Sequence, residues 1–215
     1  MDFLKKYDIE INDKELLLTA LTHSSYAFEH NVSSYERLEY LGDAVLELVV
    51  SDYLYLNEKL TEGEMSRKRA SFVCEEALFE YSKEVGYLPY IRVGNGQIED
   101  INESIIADIF EAILGTIYLD QGYEIAKKYL YKIVIPKIKE GRIFMHDYKS
   151  ALQELTQVNQ KTPEYVITSE EGPANNRTFK AIVKVDGIIY GKGIGHSKKE
   201  AEQKAAQDAF RKEAK

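Results

Sequence analysis

The chain has 215 residues, 44% hydrophobic and 30% charged, which is enough apolar material for a core and excludes wholesale disorder. The longest apolar runs, Ala44-Val45-Leu46 and Leu48-Val49-Val50, are bounded by Glu47 and Asp52 and fall far short of the roughly 20 residues of a bilayer span. The lone Cys74 excludes an internal disulfide and stands outside any zinc-ligand spacing, and Met1 to Asp8 shows no export signal, so a cytoplasmic protein without a membrane partner is expected.

A net charge of −8 argues at face value against a phosphate-rich partner, because cation contacts dominate such affinity. The average conceals a break. Residues 1–146 carry 16 Lys and Arg against 26 Asp and Glu, whereas residues 147–215 carry 12 against 10. The charge therefore changes from −10 to +2 at the point where a domain boundary is expected.

In chain order, Leu38, Leu41, Val45, Leu48 and Val49 recur at helical spacing and predict a buried helix, with Ser33 or Ser34 as its cap. A charged segment from Glu64 to Val85 follows. Ile105, Ile106, Ile109, Ile113, Leu114 and Ile117 predict a second buried helix, capped by Asp100 or Asn102, and Tyr123 to Ile138 is amphipathic. This first part reads as all-α. After Gly141 the pattern changes to a helix over Tyr148 to Val158, then a β-rich run from Pro163 to Thr168. Asp186-Gly187 between Phe179 to Val185 and Ile188 to Gly191 predicts a hairpin, and Ser197 caps a last helix, Lys198 to Arg211. The second part is thus α+β in the order α-β-β-β-α. The expected organisation is a helical domain over 1–141, a linker at 142–146 and a smaller domain over 147–215.

Glu36, Glu39, Asp43 and Glu47 follow one another at steps of three, four and four, so a helix places them along one face. Acidic rows usually line solvated faces, but Glu39 and Asp43 are interleaved here with Leu38, Leu41 and Val45. Asp108 and Glu111 form a second pair at a step of three inside the other apolar helix. Buried carboxylates need partners. Two readings fit: unseen bases balance them, or the two helices hold a divalent cation between them. Oxygen-only ligands favour magnesium or manganese over zinc, and such an ion activates water and neutralises a phosphoryl transition state.

The run Glu36-Arg37-Leu38-Glu39-Tyr40-Leu41-Gly42-Asp43-Ala44-Val45-Leu46 closely resembles the signature of the ribonuclease III family. Leu21-Thr22-His23-Ser24-Ser25-Tyr26 resembles the box that precedes it. Ala107-Asp108-Ile109-Phe110-Glu111-Ala112, followed by Gly115 and Tyr118, is similar to the second acidic motif. The resemblance implies an endoribonuclease that hydrolyses double-stranded RNA to 5′-phosphate and 3′-hydroxyl ends, with ribosomal RNA and other structured transcripts as substrates. It implies Mg2+, with Mn2+ as a substitute, held by Glu39, Asp43, Asp108 and Glu111. Asp43 and Glu111 would be the principal catalytic groups, and Glu36 and Glu62 match accessory acidic positions. As surface carboxylates, those last two have an equally good structural explanation. The resemblance also implies a homodimer. Tyr40 stands where the family often has phenylalanine, and the segment Gly94 to Asp100 is shorter and less basic than usual.

The α-β-β-β-α order with Ser197-Lys198-Lys199 resembles a double-stranded RNA-binding domain. Duplex RNA offers a wide minor groove and a narrow phosphate-lined major groove, so its reader needs polar groups on one element and cations on another. Gln153, Glu154 and Gln157 on the first helix suit the former, and Ser197, Lys198 and Lys199 at the start of the last helix suit the latter. Cations at a helix N-terminus oppose its dipole, a local conflict that points to function. Asn175 falls where the family commonly has histidine; asparagine still donates and accepts. Two other functions compete with the nuclease: a non-cleaving RNA binder, and a phosphohydrolase of small molecules, which leaves the second domain without a role. The four histidines are scattered singly and carry no chemistry by spacing.

Overall fold

In the computed structural model the helical periodicity of the first two-thirds of the chain becomes a bundle of α1 (Lys14–Ala20), α2 (Ser24–His30), α3 (Glu36–Asn57), α4 (Glu62–Phe72), α5 (Glu75–Val85), α6 (Glu103–Gln121) and α7 (Tyr123–Lys139). The structure describes residues 2–97, 101–142, 144, 148–157, 161–172 and 177–213, with backbone alone at 97, 150, 151, 154, 155, 157, 210, 211 and 213. Two compact units are present, Met1–Phe144 and Met145–Lys215, each around its own core.

Several helix starts follow local chemistry. Asn102 caps α6, its side chain accepting from the Ile105 N–H at 3.0 Å. Thr61 and Glu64 cap α4 reciprocally, a Thr-x-x-Glu box. At α3 the cap is Tyr35, not Ser33 or Ser34: Ser34 turns its hydroxyl to Glu36 instead, at 2.8 Å. The segment Glu64 to Val85 is divided between two helices without a glycine or proline. Phe72 ends α4 by packing edge-on against Phe144, and the Tyr81 hydroxyl donates to its freed carbonyl at 3.2 Å. Tertiary contacts made that break. Phe144 is itself buried and bonded through its N–H to Ser71 Oγ at 3.0 Å, so it belongs to the core of the first unit.

The contact that organises the bundle is the antiparallel crossing of α3 and α6. A Cβ on Gly42 would lie 1.8 Å from the Glu111 carbonyl oxygen, and one on Gly115 would lie 2.3 Å from that of Leu38. Only glycine allows this approach at either position. Leu38, Val45, Leu46, Val49 and Val50 of α3 and Ile109, Phe110, Ile113, Leu114 and Ile117 of α6 are buried around it.

The second unit runs α8 (Tyr148–Gln157), β1 (Pro163–Glu171), β2 (Thr178–Val185), β3 (Ile188–Gly195) and α9 (Lys198–Glu213), with an antiparallel sheet in the order β1-β2-β3. The hairpin is as expected: Asp186 and Gly187 have φ of 51° and 76°, the two positive values of a type I′ turn, with Val185 facing Ile188. Strand β3 continues to Gly195, past the Gly191 at which the sequence pattern ends it. Gly191, Gly193 and Gly195 face α9, where a Cβ on either of the first two would lie 2.2 Å from a carbonyl oxygen of Ala205 or Ala201. The alanine face Ala201, Ala205, Ala206 and Ala209 is fully buried, so small residues on both elements let helix and strand touch backbone to backbone. Among the described residues no helix is long and apolar enough to cross a membrane.

Candidate metal centre and nucleic-acid interface

The glycine-mediated crossing sets the acidic rows of α3 and α6 side by side. Glu111 is the most enclosed member, with 9% of its surface exposed, and among the described residues no cation is paired with it. Burial pushes its carboxyl up to about 8, with further raising by the charges of Asp43, Glu39, Asp108 and Glu47 in that order. Glu39 is also raised, by burial first and then by Asp108, Glu36 and Asp43. Asp43 reaches solvent, yet nearby protein and the Glu47 charge raise its carboxyl as well. Every dominant influence on these three disfavours negative charge.

Asp108 differs. Burial raises its carboxyl, but a hydrogen bond from Tyr35 and the nearby His23 oppose that effect. The Tyr35 hydroxyl donates to Asp108 Oδ2 at 3.0 Å. Burial and the charges of Asp108, Glu39 and Glu36 hold that phenol far above its ordinary range, so it remains a donor. His23 sits against the Tyr35 ring, with centroids 5.9 Å apart. Its Nδ1 accepts from the Ser25 N–H at 3.2 Å, and Ser25 Oγ in turn accepts from the Gly94 N–H at 2.9 Å. The Leu21 to Tyr26 box thus becomes a wall beside the second acidic pair.

The structure therefore brings Glu39, Asp43, Asp108 and Glu111 into one electrostatic cluster. Glu36 borders it, contributing charge to Glu39 and Tyr35. Glu62, exposed at the start of α4, accepts from Ser66 Oγ at 2.9 Å, and no described contact ties it to the cluster. Among the described residues no three ligating side chains stand gathered at coordination distance. Residue spacing does not single out Glu47, Tyr35 or His23. Glu47 is one member of the acidic row; His23 lies in the Leu21 to Tyr26 box, but its nearness to Asp108, like that of Tyr35, spans 85 and 73 positions respectively and is set by tertiary contact.

In the second unit Ser197 Oγ accepts from the Glu200 N–H at 3.1 Å, and the Glu200 carboxylate accepts from the His196 N–H just before the cap, two bonds that fix the start of α9. Lys198 and Lys199 are exposed there, the ammonium of Lys198 lying 6.0 Å from the Phe179 ring centroid. Gln153 is exposed on α8. The side chains of Glu154 and Gln157, and all of Asn175, lie outside the described residues. Helix α8 is held to α9 by Lys149 with Glu202 at 2.7 Å and by Gln207 donating to the Tyr148 hydroxyl at 2.8 Å.

A family model described as Ribonuclease-III-like matches residues 13–138, and one described as Double-stranded RNA binding motif matches residues 148–213. The chain belongs to the ribonuclease III family. Ribonuclease 3 of Lactiplantibacillus plantarum is 43% identical over 215 residues, covering 96% of this chain and 93% of that protein. Ribonuclease 3 of Bacillus cereus is 44% identical over 220 residues, covering 98% and 89%. Among solved structures, the nuclease domain of ribonuclease III from Campylobacter jejuni superposes with a TM-score of 0.58 at 34% identity, covering 63% of this chain and 95% of that domain. Within this ribonuclease III chain the matched segments correspond to the helical and the α-β-β-β-α units, and the acidic cluster falls inside the first.

Proposed function

We propose that the chain is a magnesium-dependent endoribonuclease that cuts double-stranded RNA, with a catalytic domain over 1–141, a linker at 142–146 whose Phe144 is anchored in the core of the first unit, and an RNA-binding domain over 147–215. The observation that carries this reading is the acidic cluster of α3 and α6: its carboxylates act on one another, and the dominant effects on Glu39, Asp43 and Glu111 oppose ionisation. A hard divalent cation reverses that electrostatic cost and matches an all-oxygen donor set. Glu39, Asp43, Asp108 and Glu111 would hold Mg2+, with Mn2+ as substitute, and Glu36 and Glu62 would be accessory. Bound there, the ion supplies an activated water and charge neutralisation at the scissile phosphate.

The chain's own contributions follow from its geometry. Glu111, nearly excluded from solvent, fixes the floor of the site. Asp43, exposed on α3, is the carboxylate placed to face substrate, and Tyr35 restrains Asp108. Without a cation the cluster repels an RNA backbone, so duplex capture falls to the second unit, through Gln153, Glu154, Gln157, Asn175, Ser197, Lys198 and Lys199. The products would carry 5′-phosphate and 3′-hydroxyl ends, and structured precursors including ribosomal RNA are the expected substrates. A homodimer is supported by Tyr40, Leu48 and Tyr55, which lie on one face of α3 and are 82%, 56% and 74% exposed.

The test is gel-resolved cleavage of a defined RNA duplex by the full chain. Cutting with Mg2+ that disappears with EDTA, while duplex retention in a mobility-shift assay persists, is expected. Cleavage undiminished by EDTA overturns the metal mechanism, and retention without cutting under any metal condition replaces the nuclease with an RNA-binding protein. A second expectation concerns Lys198 and Lys199. Replacing both by Ala weakens duplex binding uniformly across RNA sequences and lowers the slope of log K against log salt by about 2. An unchanged slope removes these lysines from the phosphate contact.

A further inference from the structure

We propose that Tyr35 is a positioning residue for the acidic centre, its hydroxyl locking one oxygen of Asp108 so that the other is presented to the cation. The proposal rests on the metal reading above and adds a residue to it. Asp108 stands on α6 among Glu39 and Glu111, with which it shares the sign of its charge. A carboxylate in that company is driven to rotate away from its neighbours. The Tyr35 hydroxyl, 3.0 Å from Oδ2, supplies a directional restraint against that rotation. A phenol has one proton to donate, so it marks one oxygen and leaves the other available.

The restraint is useful only if Tyr35 is itself fixed, and it is. The residue is 5% exposed. Its N–H donates to the Thr22 carbonyl at 2.9 Å, and its own carbonyl accepts from Leu38 and Glu39 at the first turn of α3. The backbone that anchors Tyr35 is therefore continuous with the backbone that carries Glu39. Behind it, His23 packs on the ring, and the His23 N–H donates to the Arg92 carbonyl at 2.9 Å. Arg92 Nη2 reaches the Leu18 carbonyl at 2.7 Å and bonds to Thr22 Oγ1. Thus Tyr35 connects the two acidic pairs: through its main chain to Glu39, through its hydroxyl to Asp108. Outer partners of this kind orient ligands, and removing one commonly lowers metal affinity or activity about 10- to 100-fold.

The experiment compares the full chain with Tyr35→Phe, which deletes the hydroxyl and keeps the ring. Mn2+ binding is measured calorimetrically without RNA, and cleavage of a defined duplex is followed against Mg2+ concentration. A loss of roughly 10-fold in Mn2+ affinity is expected, with a matching rise in the Mg2+ concentration for half-maximal cleavage and an unchanged KM for duplex. In an Asp108→Asn background the same substitution should cause no further loss of Mn2+ affinity. Wild-type Mn2+ affinity in Tyr35→Phe, or equal losses with and without Asp108, overturns the positioning role. Failure of the unaltered chain to bind Mn2+ at all overturns the metal reading itself, a separate outcome.

Discussion

Glu111→Gln is expected to lower cleavage by more than a hundredfold and, in the same protein freed of metal, to raise the melting temperature at pH 8. The two effects have opposite signs because one carboxylate serves both. Partners that only orient metal ligands cost 10- to 100-fold when removed, so loss of a proposed ligand should exceed that range. For stability, burial and then Asp43, Glu39, Asp108 and Glu47 raise Glu111 to about 8 from an ordinary value of 4.5. The unfolded chain therefore releases this proton first. The group's stabilising contribution is fully present below about 4.5 and is lost as pH rises through about 8, at a cost of a few kcal/mol. Burial also raises Glu39, Asp43 and Asp108, which act in the same direction. The neutral amide of Glu111→Gln removes the largest share, worth roughly 5 °C for a chain of this size. Melting curves at pH 5 and pH 8 with EDTA provide the check. The gain should be confined to the higher pH, and a variant less stable than the wild type at pH 8 would show that Glu111 is not strained by its neighbours.

Gly42→Ala is the second large effect, and its sign runs against helix propensity. In an ordinary helix interior this change stabilises by about 1 kcal/mol. Here the added methyl would lie 1.8 Å from the Glu111 carbonyl oxygen and 3.1 Å from its Cα, backbone atoms that no side-chain rotation can move. Helices α3 and α6 must separate, with a cost of about 3 kcal/mol. Separation also moves Glu39 and Asp43 away from Asp108 and Glu111, so cleavage should fall even at temperatures where the variant remains folded. Denaturant unfolding beside cleavage at 20 °C tests both. A Gly42→Ala protein as stable and active as the wild type would mean that the crossing is looser than the glycines require. Gly115→Ala, meeting the Leu38 carbonyl at 2.3 Å, should behave alike.

Much of this architecture is visible in residue spacing because the patterns involved are local. The three- and four-residue apolar recurrences of α3 and α6, the Asp186-Gly187 turn and the Ser197 cap each depend on a few neighbouring residues, and each appears in the fold, except that Leu48 of the α3 stripe faces solvent. The acidic rows are local too, since a helix places Glu39 with Asp43, and Asp108 with Glu111, by its pitch alone. Two features required contacts distant in the chain. The division between α4 and α5 depends on Phe144 and Tyr81. The length of β3 depends on an alanine face in α9, against which glycines otherwise unfavourable in a strand become the residues that fit.

The sequence by itself determined which carboxylates exist, how each pair is spaced and which family the motifs resemble, because helical pitch and motif order are properties of the chain. Only the tertiary structure decided that the two pairs meet, that Glu111 is the enclosed member, and that Tyr35 and His23 stand beside Asp108. The physical reason is the close antiparallel approach of α3 and α6 through Gly42 and Gly115. It makes neighbours of residues some seventy positions apart, and it removes water from a cluster of like charges whose pKa values depend on that removal.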